Sequence, residues 1–374
     1  AQYGEIYRSL VYDGCLTHRE YGCCLNLMET WSNETSKRSE RMKKGIVLCL
    51  FPVLLAGCGR RHEKAYVPAE KFTVDLRLPV TPVKDQGTSP LCWVYAMLAT
   101  IETEHIMQGD SVNLSPDYVA RMYLSEQAER RRLLPGRMVR NEPPVSLRGM
   151  STMLIDLIQT YGLQHYDAYH REPDMDYNVL CREIDRGGDT DRLLDENIGT
   201  LPRQVFWLGA GYTPMEFAHS VCTDDEYTAL TSFTHHPYGQ RFPLEVPDNR
   251  FHDTFLNVPL DTMMHRIVRS LREGHPVCWE GDASEPGFLS GQGFAVLQDE
   301  GRKVTAMRRQ KAFEAHQTTD DHCMEIIGLA HDQHGRRFFL CKNSWGTGNR
   351  YRGFMFLSEP YVQMKTVAVV VKNR

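Results

Sequence analysis

The sequence has no long uninterrupted apolar run, no strong excess of either charge and no internal repeat. Its 374 residues carry a formal net charge of −5, which is too small to indicate a nucleic-acid partner. No apolar stretch reaches the length that a mature membrane-spanning helix needs, and no low-complexity tract predicts disorder. With 41% hydrophobic residues, the chain is typical of a globular protein with one large or two medium domains.

Closely paired metal-ligand cysteines are also missing from the main part of the chain. Six of the eleven cysteines follow residue 71, at positions 92, 181, 222, 278, 323 and 341. None of the six has the spacing of a structural zinc site, so we expect neither a metal nor another cofactor. We interpret the last five as single buried thiols, although export would permit disulfides among them.

An export signal is predicted near the start of the chain. Met42 and two lysines precede the mostly apolar run 45–57, and small residues stand directly before Cys58. This pattern is typical of a secretory signal and resembles the bacterial lipobox. A buried helix is the alternative, but Pro52 would interrupt it.

We therefore expect the chain to consist of four segments, the last of which is the main domain. They are a doubtful leader (1–41), a lipoprotein signal peptide (42–57), a tether (58–71) and one domain (72–374). The signal should begin at Met42, so residues 1–41 are interpreted as a translation-start artefact or a removed leader. Lipidation of Cys58 would anchor the protein in the bacterial cell envelope and make the membrane a partner.

The stretch 84–98 has the features of a nucleophile's environment. Ser89 and Pro90 lead from a glycine-containing turn into an apolar run with helical spacing, which predicts a helix with one buried face. Cys92 would lie in its first turn, where the helix dipole favours a thiolate. The alternative is a small buried hydrophobic residue. Gln86, six residues upstream, could donate its amide to an oxyanion beside the sulfur.

Partners for this cysteine are predicted far downstream. His322 begins a β-rich run, and a turn at 332–335 leads to a second strand that ends before Asn343. Such a hairpin would bring His322 and Asn343 side by side. Asn343 would then fix the tautomer of His322, so that the other ring nitrogen serves Cys92.

These residues resemble the papain-type cysteine peptidases. The order Gln86, Cys92-Trp93, His322 and Asn343-Ser344-Trp345-Gly346 matches their motifs. The wide gap between Cys92 and His322, the segment 318–324 and the C-terminal strand are more similar to the bleomycin hydrolase and aminopeptidase C branch, in particular its compact bacterial members. The similarity extends from about residue 72 to the C-terminus. The sequence departs from the pattern at Leu91, where papain-like enzymes commonly have a small residue.

The resemblance implies an α+β, papain-like fold with a cleft between two lobes. We expect a helical lobe mainly over 84–275 and a β-barrel-like lobe mainly over 276–374. It also implies thiol-dependent hydrolysis of peptides, with the activity of an aminopeptidase. An endopeptidase of the same fold is one alternative, and a catalytically silent, peptide-binding envelope lipoprotein is another. The oligomeric state and the substrate-binding residues are not predicted.

Several other residues have a structural and a functional interpretation. Arg130–Arg132 is interpreted as a solvated face, and His235-His236 as structural or exposed residues. Asp282, Ser284 and Glu285 would line the cleft only if their loop faced it. Trp93 and Trp345 are expected to pack, the latter over the contact between His322 and Asn343.

The end of the chain bears on exopeptidase action. In the bleomycin hydrolase and aminopeptidase C branch, which this sequence resembles, the chain's own end blocks one side of the cleft. Here 365–371 is predicted to be a strand, and only three residues follow, which span at most about 10 Å. The tail could therefore act as the block only if that strand ends near the cleft.

Overall fold

The structure is a computed structural model that describes residues 71–133, 143–170 and 176–373. These residues belong to one compact unit, His62–Arg374. The predicted leader (1–41), the signal peptide (42–57), Cys58, the tether up to residue 70 and Arg374 lie outside the described residues. Within the described part, no helix combines the length and the apolar character needed to cross a membrane.

Helices dominate the first half of the described chain. They are α1 (Cys92–Met107), α2 (Pro116–Leu133), α3 (Ser151–Tyr161), α4 (Tyr177–Asp185), α5 (Thr190–Asn197), α6 (Pro214–Val221), α7 (Leu260–Arg272), α8 (Ala306–Glu314) and α9 (Glu359–Lys365). Local sequence signals start several of them. The Ser115 hydroxyl accepts a hydrogen bond from the Tyr118 backbone N–H at 3.0 Å, as expected for the residue that caps α2.

Strands are concentrated in the second half. They are β1 (Phe72–Arg77), β2 (Val205–Trp207), β3 (Ala210–Tyr212), β4 (Tyr227–Thr231), β5 (Arg241–Pro243), β6 (Thr254–Asn257), β7 (Val277–Gly281), β8 (Phe288–Leu289), β9 (Phe294–Ala295), β10 (His322–Asp332), β11 (Arg337–Lys342), β12 (Phe354–Ser358) and β13 (Thr366–Lys372). The pair β2–β3 stands apart. The others form one sheet in the order β5-β6-β4-β13-β7-β10-β11-β12-β9-β8, and β1 also pairs with β10.

The topology shows how the two predicted lobes share one sheet. The described strands pair along one path from β5 to β8, with β1 added beside β10. The lobe boundary expected near residue 275 does not coincide with an edge of this sheet. Strands β4, β5 and β6 join the sheet through β13, and buried side chains of α7 belong to the core of the sheet. Tertiary pairing explains the difference, because β4 and β13 are far apart in sequence.

Two stretches show how short elements attach to the rest of the fold. Residues 216–230 contain most of α6, followed by β4. The charged region 174–197 contains α4 and α5 among its described residues. Leu180, Ile184 and Leu194 of these helices are buried, since a few apolar residues at helical spacing suffice to attach a short helix to a core.

Helix α1 lies at the junction of the helices and the sheet. Every residue from Trp93 to His105 is buried, so the helix is enclosed on all sides and the prediction of one buried face was wrong. Its charged residues are paired in this interior. Glu102 accepts hydrogen bonds from Lys84 Nζ at 2.6 Å and from the Leu114 N–H at 2.7 Å. Paired in this way, a carboxylate can remain inside the protein, and it joins α1 to the segment before it.

Candidate active site

Cys92 is the first residue of α1. Leu91 precedes it as the N-cap and provides no side-chain cap, so the backbone N–H groups of the first turn have no partner within the helix. Those N–H groups and the helix dipole favour negative charge at the Cys92 sulfur. Pro90 lies before the helix rather than inside it, which leaves the predicted first-turn position of Cys92 unchanged.

His322 and Asn343 meet through the predicted hairpin. Strands β10 and β11 pair antiparallel with Glu325 opposite Lys342, which places the residues at their outer ends beside each other. The distance from His322 Nε2 to Asn343 Oδ1 is 2.8 Å. An amide oxygen only accepts hydrogen bonds, so Nε2 carries a proton and donates it, and Nδ1 remains for Cys92.

Aromatic rings hold the imidazole in place. The ring of Trp345 stacks on His322 with centroids 4.3 Å apart. Phe288 approaches the imidazole edge-to-face at 6.3 Å. Trp345 is 40% exposed, so one of its faces covers the pair formed by His322 and Asn343 while the other meets solvent. The predicted packing position of Trp345 is confirmed.

Gln86 is fixed by hydrogen bonds to the segment that follows Asn343. Its Oε1 accepts from the Ser344 hydroxyl at 2.6 Å, and its backbone N–H donates to the Ser344 carbonyl at 2.8 Å. One N–H of its side-chain amide donates to the Ser89 carbonyl at 2.7 Å. The second amide hydrogen is left for a substrate oxygen.

The thiol of Cys92 has two hydrogen-bonding neighbours. The Cys323 thiol contributes most to holding the pKa of Cys92 well below its ordinary value, while burial opposes this and His322 supports it. Cys323 itself is buried, and burial raises its pKa well above the usual range. Cys92 is therefore the more acidic thiol of the pair, as a nucleophile requires.

Leu91 fills the core and not the cleft. Its side chain is fully buried, and its carbonyl accepts from the Tyr95 N–H at 3.0 Å. The departure from the family pattern at this position thus adds apolar packing under the start of α1.

A group of acidic residues beside Cys92 was missed by the sequence analysis. Glu280 is 1% exposed, and its Oε2 accepts from the Ser151 hydroxyl at 3.0 Å. The same hydroxyl lies 3.9 Å from Cys323 Sγ. Burial and the charge of Asp320 raise the pKa of Glu280 well above its usual range. The only signal in the sequence is that Glu280, a charged residue, directly follows the apolar residues Val277 to Trp279 in a predicted strand.

The loop before α3 brings Ser151 to this place. The Trp93 indole N–H donates to the Leu147 carbonyl at 2.9 Å. Gly149 packs against the same ring, where an added Cβ would lie 2.9 Å from the indole. Trp93 is thus the predicted packing residue, and it couples the start of α1 to the start of α3.

Other singled-out residues have structural roles. Glu245 accepts from His235 Nε2 at 3.1 Å and from His236 Nε2 at 2.6 Å. Their ligand atoms all lie within 4.8 Å of one another, but these hydrogen bonds account for the group without an ion. Ser89 donates its hydroxyl to the Gln86 carbonyl at 2.6 Å, which makes it a support for the turn.

Asp282, Ser284 and Glu285 support the loop after β7. Ser284 donates to Asp282 Oδ1 at 2.8 Å, and Lys365 Nζ contacts Asp282 Oδ2 at 3.2 Å. Glu285 also pairs with Lys365. With these partners the three residues bind one another and Lys365, so a role as cleft-lining groups is not supported.

The six cysteines at and after residue 92 are all unpaired in the described structure. Cys181, Cys222, Cys278, Cys323 and Cys341 are buried. Burial raises the pKa of Cys181 to about 11. The interpretation of single buried thiols is confirmed.

The last strand ends far from the catalytic residues. Thr366, at its start, lies opposite Gly281, which in turn pairs with His322. Lys372, at its end, pairs with Tyr227, and Lys372 Nζ lies 3.2 Å from Glu104 Oε2. Six residues of strand separate the two ends, or roughly 20 Å. Residues 372 and 373 therefore lie away from Cys92 and His322.

Comparisons with known proteins find sequence similarity over part of the chain. Residues 206–374 match the Peptidase C1-like family, a range that includes His322 and Asn343 but not Cys92. Aminopeptidase G of Lactobacillus delbrueckii subsp. lactis is 25% identical over 179 residues, which are 45% of this chain and 41% of the relative. Aminopeptidase E of Lactobacillus helveticus is 23% identical over 180 residues, with the same coverage of 45% and 41%. The match thus spans about two fifths of the length of these relatives.

A solved structure extends the comparison to the whole fold. PepW from Lactobacillus rhamnosis HN001 superposes with a TM-score of 0.58 at 17% identity, covering 80% of this chain and 82% of PepW. The predicted α+β, papain-like fold is confirmed. The chain has the fold of PepW, and its residues 206–374 are similar, at distant identity, to the Peptidase C1-like family.

Proposed function

We propose that this protein is a cysteine aminopeptidase, which removes residues from the free N-terminus of peptides. The observation that carries the proposal is the meeting of Cys92, His322 and Asn343, with Gln86 fixed beside them. The aminopeptidases among the matched relatives support the reaction class. Because the match covers less than half of those relatives, the activity is assigned from the site.

The first half of the reaction forms an acyl-enzyme. The Cys92 thiolate attacks the carbonyl carbon of the scissile bond, and the oxygen becomes an oxyanion. The free amide hydrogen of Gln86 and the Cys92 backbone N–H are placed to stabilise it. The imidazolium of His322 then gives its Nδ1 proton to the leaving amine, and the C–N bond breaks.

The second half releases the acid. His322, now neutral, takes a proton from water, and the hydroxide attacks the thioester carbon. The C–S bond breaks, and the carboxylic acid product leaves together with regeneration of the Cys92 thiolate and the His322 imidazolium. Asn343 holds the ring in the same tautomer throughout, so neither step requires the imidazole to turn.

Endopeptidase activity is the second candidate. It is favoured by one observation, namely that residues 372 and 373 lie at the far end of β13, away from Cys92 and His322. The test compares one fluorogenic peptide with a free and an acetylated N-terminus. An aminopeptidase cleaves the free form and leaves the acetylated form intact, whereas rapid internal cleavage of the acetylated form would assign the protein to the endopeptidases.

A thiol-reactivity experiment would distinguish this enzyme from a catalytically silent peptide-binding protein. Iodoacetamide should label Cys92 in the native protein before the five buried cysteines. Equal labelling of all six only after denaturation, together with no hydrolysis of either peptide, would contradict the proposed activity.

We further propose that the chain is a lipoprotein of the bacterial cell envelope, anchored through Cys58. The support is the sequence pattern of 42–58 alone. Metabolic labelling with a palmitate analogue should mark the wild-type protein, and Cys58→Ser should remove the label. Labelling that persists in Cys58→Ser would refute the anchor.

A further inference from the structure

Two carboxyl oxygens beside the nucleophile have no hydrogen-bond partner among the described residues. They are Glu280 Oε1 and Asp320 Oδ2, and both atoms are buried. A buried carboxyl group with an unpaired oxygen costs several kcal/mol relative to water. Native proteins rarely keep such groups unless another molecule completes them.

The two groups belong to one place. The charge of Asp320 acts on Glu280, and so does that of the Cys92 thiolate. Glu280 lies opposite Cys323 in the pairing of β7 with β10. Ser151 connects them, at 3.0 Å from Glu280 Oε2 and 3.9 Å from Cys323 Sγ, and Cys323 contacts Cys92. The acidic group is therefore separated from the nucleophile by little more than one side chain.

The nearby cation does not neutralise this pair. Arg148 Nε lies 3.0 Å and 2.9 Å from the two carboxylate oxygens of Asp248, and its NH2 group lies 2.8 Å from Asp248 Oδ2. This bidentate arrangement uses the guanidinium on Asp248. Burial raises the pKa of Asp320 to about 6, so Asp320 is ionised at neutral pH and leaves one negative charge unpaired.

We infer that Glu280 and Asp320 form a subsite that binds a cationic group of the peptide substrate, next to the bond that Cys92 attacks. Asp320 provides the charge, and the unpaired oxygen of Glu280 lies beside it. The cation is either the free α-ammonium of the substrate or a basic side chain just before the scissile bond. Residues 372 and 373 lie at the far end of β13, so neither of them supplies this charge. The inference rests on the proposed peptidase function.

Binding to an inactive enzyme tests the subsite without turnover. In the Cys92→Ala protein, calorimetry would compare two pairs of peptides that differ by one positive charge. The first pair is Ala-Ala-Ala amide and its N-acetyl form, and the second is N-acetyl-Lys-Ala-Ala amide and its norleucine analogue. We expect the charged member of at least one pair to bind more tightly, by about tenfold or more for a charge-assisted contact.

Isosteric variants then assign the effect to the two residues. Adding Asp320→Asn to Cys92→Ala should remove most of this preference, because Asp320 supplies the charge. Adding Glu280→Gln should weaken the preference less. Both variants should keep the affinity for the neutral peptides within about twofold. Glu325→Gln is the matched control, because Glu325 is a buried carboxyl on the same strand pair that lies opposite Cys278 instead of Cys323. It should preserve the preference.

The two peptide pairs identify the source of the charge. A preference lost only in the first pair assigns the subsite to the α-ammonium, and one lost only in the second pair assigns it to a basic side chain. Equal binding of charged and neutral peptides, or a preference that survives both Glu280→Gln and Asp320→Asn, would overturn the inference. Failure of the proposed function would be seen separately, as absence of hydrolysis by the wild-type enzyme.

Discussion

The two sides of the Cys92 thiol differ in how completely their polar groups are bonded. On the side of Gln86 and Asn343, the side-chain oxygens accept close hydrogen bonds, from the Ser344 hydroxyl at 2.6 Å and from the His322 ring at 2.8 Å. On the side of Glu280 and Asp320, one oxygen of each carboxyl has no partner in the described structure. Bonded groups fix geometry, whereas unbonded groups retain the capacity to bind a ligand. We therefore assign the reaction steps to the side of Gln86 and Asn343, and substrate binding to the side of Glu280 and Asp320.

The largest effect is expected from removing the atom that the two sides share. Cys92→Ala should lower kcat/KM by about four to six orders of magnitude, because no other group can form the acyl-enzyme. The fold should persist, since alanine suits the first turn of a helix. Initial rates and a thermal melt check both points. Hydrolysis that survives in Cys92→Ala would show that the assigned nucleophile is wrong.

On the bonded side, Gln86→Ala should lower kcat by about a hundredfold, which is the usual effect of losing one oxyanion donor. KM should change little, because the donor acts on charge that develops only in the transition state. Ser344→Ala is the control, since it leaves the amide donor present and removes only the contact to Gln86 Oε1. A rise in KM without a fall in kcat would contradict an oxyanion role.

Asn343→Ala should have a smaller effect, about tenfold in kcat, corresponding to one hydrogen bond to His322. The residue orients the imidazole and transfers no proton. Asn343→Gln offers the same amide at a different reach and should recover activity only in part. If Asn343→Ala were as inactive as His322→Ala, a role limited to orientation would be excluded.

The smallest effect on turnover is expected from substitution of Glu325. This substitution should instead alter the pH dependence of the free energy of unfolding. Burial raises the pKa of Glu325 from its ordinary 4.5 to about 7. Below pH 4.5 the carboxyl is protonated in both the folded and the unfolded chain. Between pH 4.5 and 7 the unfolded chain loses the proton first, so the free energy of unfolding falls, by about 3 kcal/mol in total. Above pH 7 the loss is complete.

Urea unfolding of wild type and Glu325→Gln at pH 4.5, 6 and 8 measures this loss. The variant should gain about 3 kcal/mol relative to wild type between pH 4.5 and 8, since its side chain does not ionise. A constant difference across this range would show that Glu325 titrates normally. Glu325 would then differ from Glu280 and Asp320, whose pKa values are raised.

Much of the bonded side was predictable from sequence because its residues lie in local patterns. Gln86 and Cys92 flank one turn, and a short hairpin connects the elements that carry His322 and Asn343. The last strand, predicted over 365–371, lies one residue later in the structure, at Thr366–Lys372. The errors came where tertiary contacts override local signals. Helix α1 is enclosed on every side, and the sheet includes β4, β5 and β6 from the part of the chain that was expected to be helical.

The sequence by itself predicted the candidate nucleophile, its base and its orienting amide, together with the α+β fold that holds them. Only the tertiary structure decided that Glu280 and Asp320 lie beside Cys92, and that the end of β13 lies away from it. The physical reason is that these positions depend on strand register and on which strands become neighbours. A register shift of one residue would turn Glu280 to the other face of the sheet, and no local pattern in the chain specifies that pairing.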